Sequence, residues 1–164
     1  MRYAGVELEI LRADALSYPS DLLILKYAQQ FSGVDAAAVR AAGIDVLELP
    51  VTGDSLLVPD PPHLLTQNLL FLGVEPIHKF DYRSIRKFAQ RAISMAIDIS
   101  PPVREISMTM HGVGFGLDET EAFTSQIAGI ADALDAGRYP ESLRAIRIVE
   151  LNPLPRSIRS LPSA

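Results

Sequence analysis

Gly33-Val34-Asp35-Ala36-Ala37-Ala38-Val39-Arg40-Ala41-Ala42-Gly43 is the stretch on which the fold turns. Val34 to Ala42 reads as a helix because alanine is the best helix former, and Gly43 is a natural stop, able to take the left-handed backbone of a helix end. The small side chains predict close packing on a sheet. Just upstream, Asp21-Leu22-Leu23-Ile24-Leu25 follows Pro19 as a continuous apolar run, the pattern of a strand covered on both faces. Strand, glycine turn and helix in that order leave unpaired backbone N–H groups and the positive end of a helix dipole at the turn, a seat for an anion.

The same order recurs late in the chain. Glu105 to Met110 reads as a strand, and His111-Gly112-Val113-Gly114-Phe115-Gly116 as a glycine turn. Asp118-Glu119-Thr120-Glu121 then reads as a capping box opening a helix that runs to about Ala136, before Gly137. Three glycines in five positions exceed what one turn requires. Side by side, the two turns would clamp a diphosphate from both ends.

The remaining elements fill in an α/β domain. Val6 to Leu11 alternates apolar and charged residues, as an edge or near-edge strand does. Val46–Leu49 and Ser55–Val58 read as a hairpin-like pair around the Thr52-Gly53-Asp54 turn, and Asn68 to Leu72 as another buried strand ending at Gly73. From Asp81 to about Ile97 apolar residues recur every three or four positions, an amphipathic helix capped by Asp81 and stopped before Pro101-Pro102. Its Arg83, Arg86, Lys87 and Arg91 form a solvated face. Ala145 to Leu151 is a final strand. Alternating strands and helices imply a three-layer α/β/α sandwich with a mixed central sheet, in which ligands gather at the carboxyl ends of the strands. Residues 1–151 form this one domain, and residues 152–164 a tail of prolines, serines and arginines.

Composition bounds the function. The 164 residues are 48% apolar, enough for one core, and carry a net charge of −5, which argues against a general grip on DNA or RNA. There is no cysteine, so disulfides and thiolate metal sites are excluded. His63, His78 and His111 match no metal-ligand spacing. No membrane-length apolar run and no apolar leader follow Met1, so the expectation is a cytoplasmic protein without membrane or metal.

The order of these features resembles the macro domain, the ADP-ribose-binding α/β/α module also related to the amino-terminal domain of leucine aminopeptidases. The resemblance spans roughly residues 5 to 151, and its best piece is Gly33 to Gly43, similar to the macro segment that begins Gly-Val-Asp and ends Arg-Ala-Ala-Gly. Ala13-Asp14-Ala15-Leu16 stands where macro domains carry Gly-Asp-Ile-Thr, which implies that Asp14 contacts adenine. Gly112 to Gly116 stands at the family's second phosphate loop, with Phe115 as the aromatic beside the distal ribose. Two departures accompany this. Lys26-Tyr27-Ala28-Gln29 replaces the Asn-Ala-Ala-Asn run of members that hydrolyse ADP-ribose linkages, and Phe31-Ser32-Gly33 replaces a longer glycine cluster. The hydrolase equipment looks absent.

A structural role competes at each position. Asp14 either meets adenine or caps a local turn. Gly33 serves a phosphate or only its turn. Lys26 and Tyr27 reach a ligand from the second strand or are ordinary loop residues. His111 has no adjacent nucleophile, so it is taken as lining the site and not as a base. The resulting expectation is a module that binds an ADP-ribose-type or other NAD-derived nucleotide, linear or cyclic. Asp14, Lys26, Tyr27, Gly33, Val34, Asp35, His111, Gly112, Val113, Gly114, Phe115 and Gly116 are its site, with no cofactor and no catalytic residue. It would act as a sensor or regulatory subunit passing a message to an effector protein, in stress or antiviral signalling. A protein-interaction module without a nucleotide is the alternative, and an ADP-ribosyl hydrolase the third.

Overall fold

The computed structural model describes residues 1–111 and 116–152. Seven strands form one mixed sheet: β1 (Arg2–Tyr3), β2 (Val6–Arg12), β3 (Leu22–Tyr27), β4 (Ser55–Pro59), β5 (Asn68–Gly73), β6 (Glu105–Met108) and β7 (Ala145–Glu150), in the order β1-β2-β7-β6-β3-β5-β4. The five inner strands are parallel, and the edge strands β1 and β4 run antiparallel to their neighbours. Three helices, α1 (Gly33–Ala42), α2 (Tyr82–Met95) and α3 (Glu119–Asp135), cover the two faces.

Side-chain alternation along the inner strands divides the core. Leu22 and Ile24 of β3 join Leu72, Ile106 and Ile148 under α2 and α3, which contribute Phe88, Ile93 and Ile130. Leu23 and Leu25 point the other way, to Leu69, Phe71 and Val149, where Ala38, Val39 and Ala42 of α1 lie on them. The alanines of α1 thus set a short distance between helix and sheet. Between α2 and α3 the approach is close: a Cβ on Gly129 would stand 2.1 Å from the Arg86 carbonyl oxygen. The Arg86 guanidinium bridges to Asp132 across the same contact, at 2.7 Å.

Helix ends follow the residues expected to make them. Gly43 takes φ +64° after α1, and the Asp81 carboxylate accepts from the Ser84 amide at 2.9 Å at the start of α2. Asp118 accepts from the Glu121 amide at 2.9 Å, but its own N–H donates to the Tyr82 hydroxyl of α2 instead of to Glu121, so a neighbouring helix completes half of the capping box.

One expected element is different. Val46–Leu49 is not a strand: Val46–Glu48 forms a single 3-10 turn, opened by the Asp45 carboxylate accepting from the Leu47 amide at 3.0 Å. The hairpin partner of β4 is β5, with Leu57 opposite Leu70. That pairing seats Leu56 and Val58 against the α1-side core, burial that a pairing with Val46–Leu49 would not provide. The Gly53 turn is held by Arg91 of α2, whose guanidinium donates to the carbonyls of Gly53, Asp54 and Gly73. Arg91 is therefore a clamp and not part of a free solvated face. Among the described residues no helix is long and apolar enough to cross a membrane.

Candidate functional site

Because β2, β3, β6 and β7 are parallel, the segments that follow them emerge along one edge of the sheet. A cavity of about 550 Å³ opens there. Its wall is assembled from Asp14 to Leu16 after β2, Lys26 of β3, Ser32 to Asp35 at the start of α1, Thr109 and Met110 after β6, and Val149 to Asn152 at the end of β7. The volume lies within the range of small-molecule sites. Ser32 to Asp35 and Thr109-Met110, which lead into the two glycine turns, face the same hollow.

At the first turn Gly33 takes φ +54°, a left-handed backbone that favours glycine. Ser32 precedes the helix in extended conformation and makes no side-chain cap. The amides of Gly33, Val34 and Asp35, at the first positions of the helix, therefore have no acceptor from the helix itself. They sit on the cavity wall. Asp14 is exposed and lines the same cavity, and its Oδ1 accepts from the Leu16 amide at 3.0 Å, so the turn-capping role is realised while one carboxylate oxygen stays outside that bond.

Lys26 and Asp35 form a buried ion pair, Nζ to Oδ2 at 3.2 Å, with side chains 9% and 8% exposed. Burial raises the Asp35 pKa above the usual carboxylate value, and Lys26 opposes the rise. Asp35 Oδ1 is buried with no hydrogen-bond partner among the described residues. The Phe80 ring lies 6.0 Å from the ammonium on another side. Tyr27, one residue along β3, is not on the cavity wall, and its ring packs on Phe31 at 5.8 Å between centroids. Neither ring fills the groove.

His111 is 1% exposed, edge-on to Phe88 at 4.3 Å between ring centroids, and neither ring nitrogen has a hydrogen-bond partner among the described residues. It lies beneath the surface and off the cavity wall. Burial, with a smaller effect of the Lys26 charge, holds its pKa well below 6.5. Its backbone is tied by Gln126, which accepts from the His111 amide and donates to the Thr109 carbonyl, so α3 fixes the approach to the second turn. Gly116 is exposed at φ +80° and off the wall. Gly112, Val113, Gly114 and Phe115 lie outside the described residues, as do positions 153–164 of the tail.

Ser32 and Met110 border the two glycine turns without being among the expected site residues, and Thr109 and Val149 to Asn152 were not anticipated. Their only signal was position, at the carboxyl end of a strand. Gln29 shows why the departure from Asn-Ala-Ala-Asn matters: its side-chain amide donates to the carbonyls of Tyr27, Pro50 and Val74, committing it to hold strand ends together. Among the described residues no group of three acidic, histidine or cysteine side chains could hold a metal.

No protein-family model matches the sequence, and no curated protein does. Solved structures do match it. A Trypanosoma brucei macrodomain in complex with ADP-ribose superposes with a TM-score of 0.69 at 19% identity, over 89% of this chain and 64% of that one. An Oceanobacillus iheyensis macrodomain variant with ADPR gives 0.66 at 17%, over 88% and 85%. The fold is macro domain-like. A tomato leucine aminopeptidase variant also matches, at a TM-score of 0.58 and 15% identity, with 94% of this chain covering 34% of that one. On this macro-like frame the cavity occupies the carboxyl edge of the inner strands, with α1 presenting its first turn to it.

Proposed function

We propose that this chain is a non-catalytic macro-like module that binds an ADP-ribose-type or other NAD-derived nucleotide and acts in the cytoplasm as a sensor or regulatory subunit for an effector protein. The observation that carries the reading is the shared cavity: the uncapped first turn of α1 and the entry to the second glycine turn line one hollow of nucleotide size. A diphosphate at the Gly33, Val34 and Asp35 amides meets the positive end of the helix dipole, and the glycine backbone lets it approach. Asp14 also lines the hollow, with a carboxylate oxygen able to accept from an exocyclic base amine. Two of the solved structures of like fold hold ADP-ribose or ADPR, which supports the choice of ligand.

Reasons against catalysis come from the candidate bases and their helpers. His111 is enclosed without access to the cavity, Asp35 is held by Lys26, and Gln29, which could only position a water, is committed to backbone carbonyls. None is placed to activate water. Calorimetric titration of the full chain with ADP-ribose, cyclic ADP-ribose isomers and ADP tests binding; heat from at least one is expected, and none from any overturns the proposal. Incubation with an ADP-ribosylated protein tests the absence of chemistry, because release of ADP-ribose by this chain would make it a hydrolase.

A further inference from the structure

β4 ends the sheet, and among the described residues no strand pairs with its outer side. The Gly73 amide donates to the Asp54 carbonyl at 2.9 Å and the Asp60 amide to the Gln67 carbonyl at 2.8 Å, with Leu56 opposite Phe71 and Val58 opposite Leu69 between them. Backbone groups alternate along an antiparallel ladder, so those of Leu56 and Val58 face β5, while Ser55 and Leu57 turn N–H and C=O outward. Pro59, with no N–H to offer, stands at the third outward position. Free edges are usually blunted by charge or by shortness. β1, at the opposite edge, has two residues, one of them Arg2, whereas β4 has five and no charge. Leu57 is 43% exposed, and Val46, Leu47 and Val51 before the strand and Leu65 after it are more exposed still. Acidic side chains frame this apolar surface. Asp54 and Asp60 flank β4, both exposed, and no lysine or arginine occurs between Arg40 and Lys79. Arg91 reaches the turn before β4, but its guanidinium donates to main-chain carbonyls there.

We propose that β4 is a docking edge for another protein: it takes an extended segment as a further strand of the sheet, apolar in the middle and carrying a lysine or arginine at each end. Main-chain hydrogen bonds to Ser55, Leu57 and the Pro59 carbonyl hold that strand antiparallel to β4, the way an added strand gains affinity in general. A seven-residue segment spans the edge from Asp54 to Asp60. Its third and fifth side chains lie beside Val58 and Leu56 on the α1 side of the sheet, and its fourth beside Leu57 on the other side. Its first and last stand opposite Asp60 and Asp54, where a cation pairs with each carboxylate. A second copy of this chain is a poorer occupant. Pairing along the whole strand would set each Asp54 opposite an Asp60, like charges at the positions where opposite ones stabilise. No residue of β4 lines the cavity, so docking at this edge does not depend on the nucleotide reading.

The probe is a synthetic peptide, acetyl-Lys-Thr-Val-Val-Val-Thr-Lys-amide, titrated into the full chain at low ionic strength, with amide hydrogen exchange read residue by residue. Saturable binding is expected, with exchange slowed at Ser55 and Leu57. Replacing both lysines of the peptide by glutamates is expected to weaken binding at least tenfold. N-methylation of its central valine, whose N–H faces the Leu57 carbonyl, is expected to abolish it. In the protein, Leu57→Pro removes an N–H that β5 does not use, keeps the fold as urea unfolding checks, and is expected to lose the peptide. Asp54→Lys with Asp60→Lys is expected to reverse the preference in favour of the glutamate-flanked peptide. No saturable binding by the native chain, equal binding of the two peptides, or protection that appears elsewhere than β4 overturns the docking edge. Sedimentation of the native chain as a dimer that Leu57→Pro dissociates overturns it too, because the edge would then belong to a second copy.

Discussion

His111 is the residue whose environment most plainly sets a measurable property. It is enclosed in the core with neither ring nitrogen partnered among the described residues, so its charged form is disfavoured and its folded pKa lies well below 6.5. A depressed histidine pKa means that the unfolded chain takes up the proton first as pH falls. The stability this group contributes is complete above 6.5 and is lost progressively below it. Between pH 7.5 and 5.5 that loss is on the order of 1 kcal/mol. Urea unfolding at the two pH values should show it, and His111→Leu should remove it; an unchanged pH dependence in the variant would mean the imidazole is protonated in the folded state. The Lys26–Asp35 pair makes a second residue-scale test. Lys26→Met alone strands a buried carboxylate and should cost about 3 kcal/mol, whereas adding Asp35→Leu should restore most of it, because a buried pair is readily replaced by apolar side chains but not easily halved.

At the scale of elements, the contact of α2 with α3 sets two magnitudes against each other. Gly129→Ala improves helix propensity by about 1 kcal/mol. It also drives a Cβ to 2.1 Å from the Arg86 carbonyl and 2.9 Å from Ala89 Cβ, both on a packed helix that cannot yield without moving. Overpacking of this kind costs about 1–3 kcal/mol, so the variant should be less stable, with a lowered thermal midpoint. A raised midpoint would show that the two helices can part freely. The helices themselves were legible because their apolar periodicity, the aspartates at Asp81 and Asp118, and Gly43 are local signals. The partner of β4 was not. Val46–Leu49 and β4 are neighbours in sequence with a glycine turn between them, yet β4 pairs with β5, because the choice is made by which pairing buries Leu56 and Val58 on the α1-side core. Tyr82 supplying half of the Asp118 cap is the same kind of fact, an interaction between helices that no local pattern announces.

For the whole molecule the cavity is the property that matters, since it belongs to no single element. A ligand that binds only the folded chain stabilises it by about 2.7 kcal/mol at a hundredfold excess over its dissociation constant, which for a domain of this size raises the thermal midpoint by about 5–10 °C. ADP-ribose should do so in a thermal-shift measurement, and an unmoved midpoint at millimolar ligand would count against the nucleotide reading. The site was partly legible beforehand. Asp14, Lys26, Gly33, Val34 and Asp35 do stand on one wall, while Tyr27 packs on Phe31 and His111 is sealed beneath. Tyr27 and His111 could not be placed from composition because the side a strand residue faces, and the depth at which a histidine ends, depend on neighbours far away in sequence.

The sequence by itself determined most of the local matters: which stretches are strands or helices, Val46–Leu49 excepted, and where the helices begin and stop. These depend on backbone preference and on side-chain periodicity within one element. Only the tertiary structure decided that Ser32 to Asp35 and Thr109-Met110 meet in one hollow, that Lys26 is spent on Asp35, and that Gln29 is bound to backbone carbonyls. The physical reason is that strand order, which sets what lies across a cavity, is chosen by burial of the sheet as a whole and leaves no mark on any single stretch of residues.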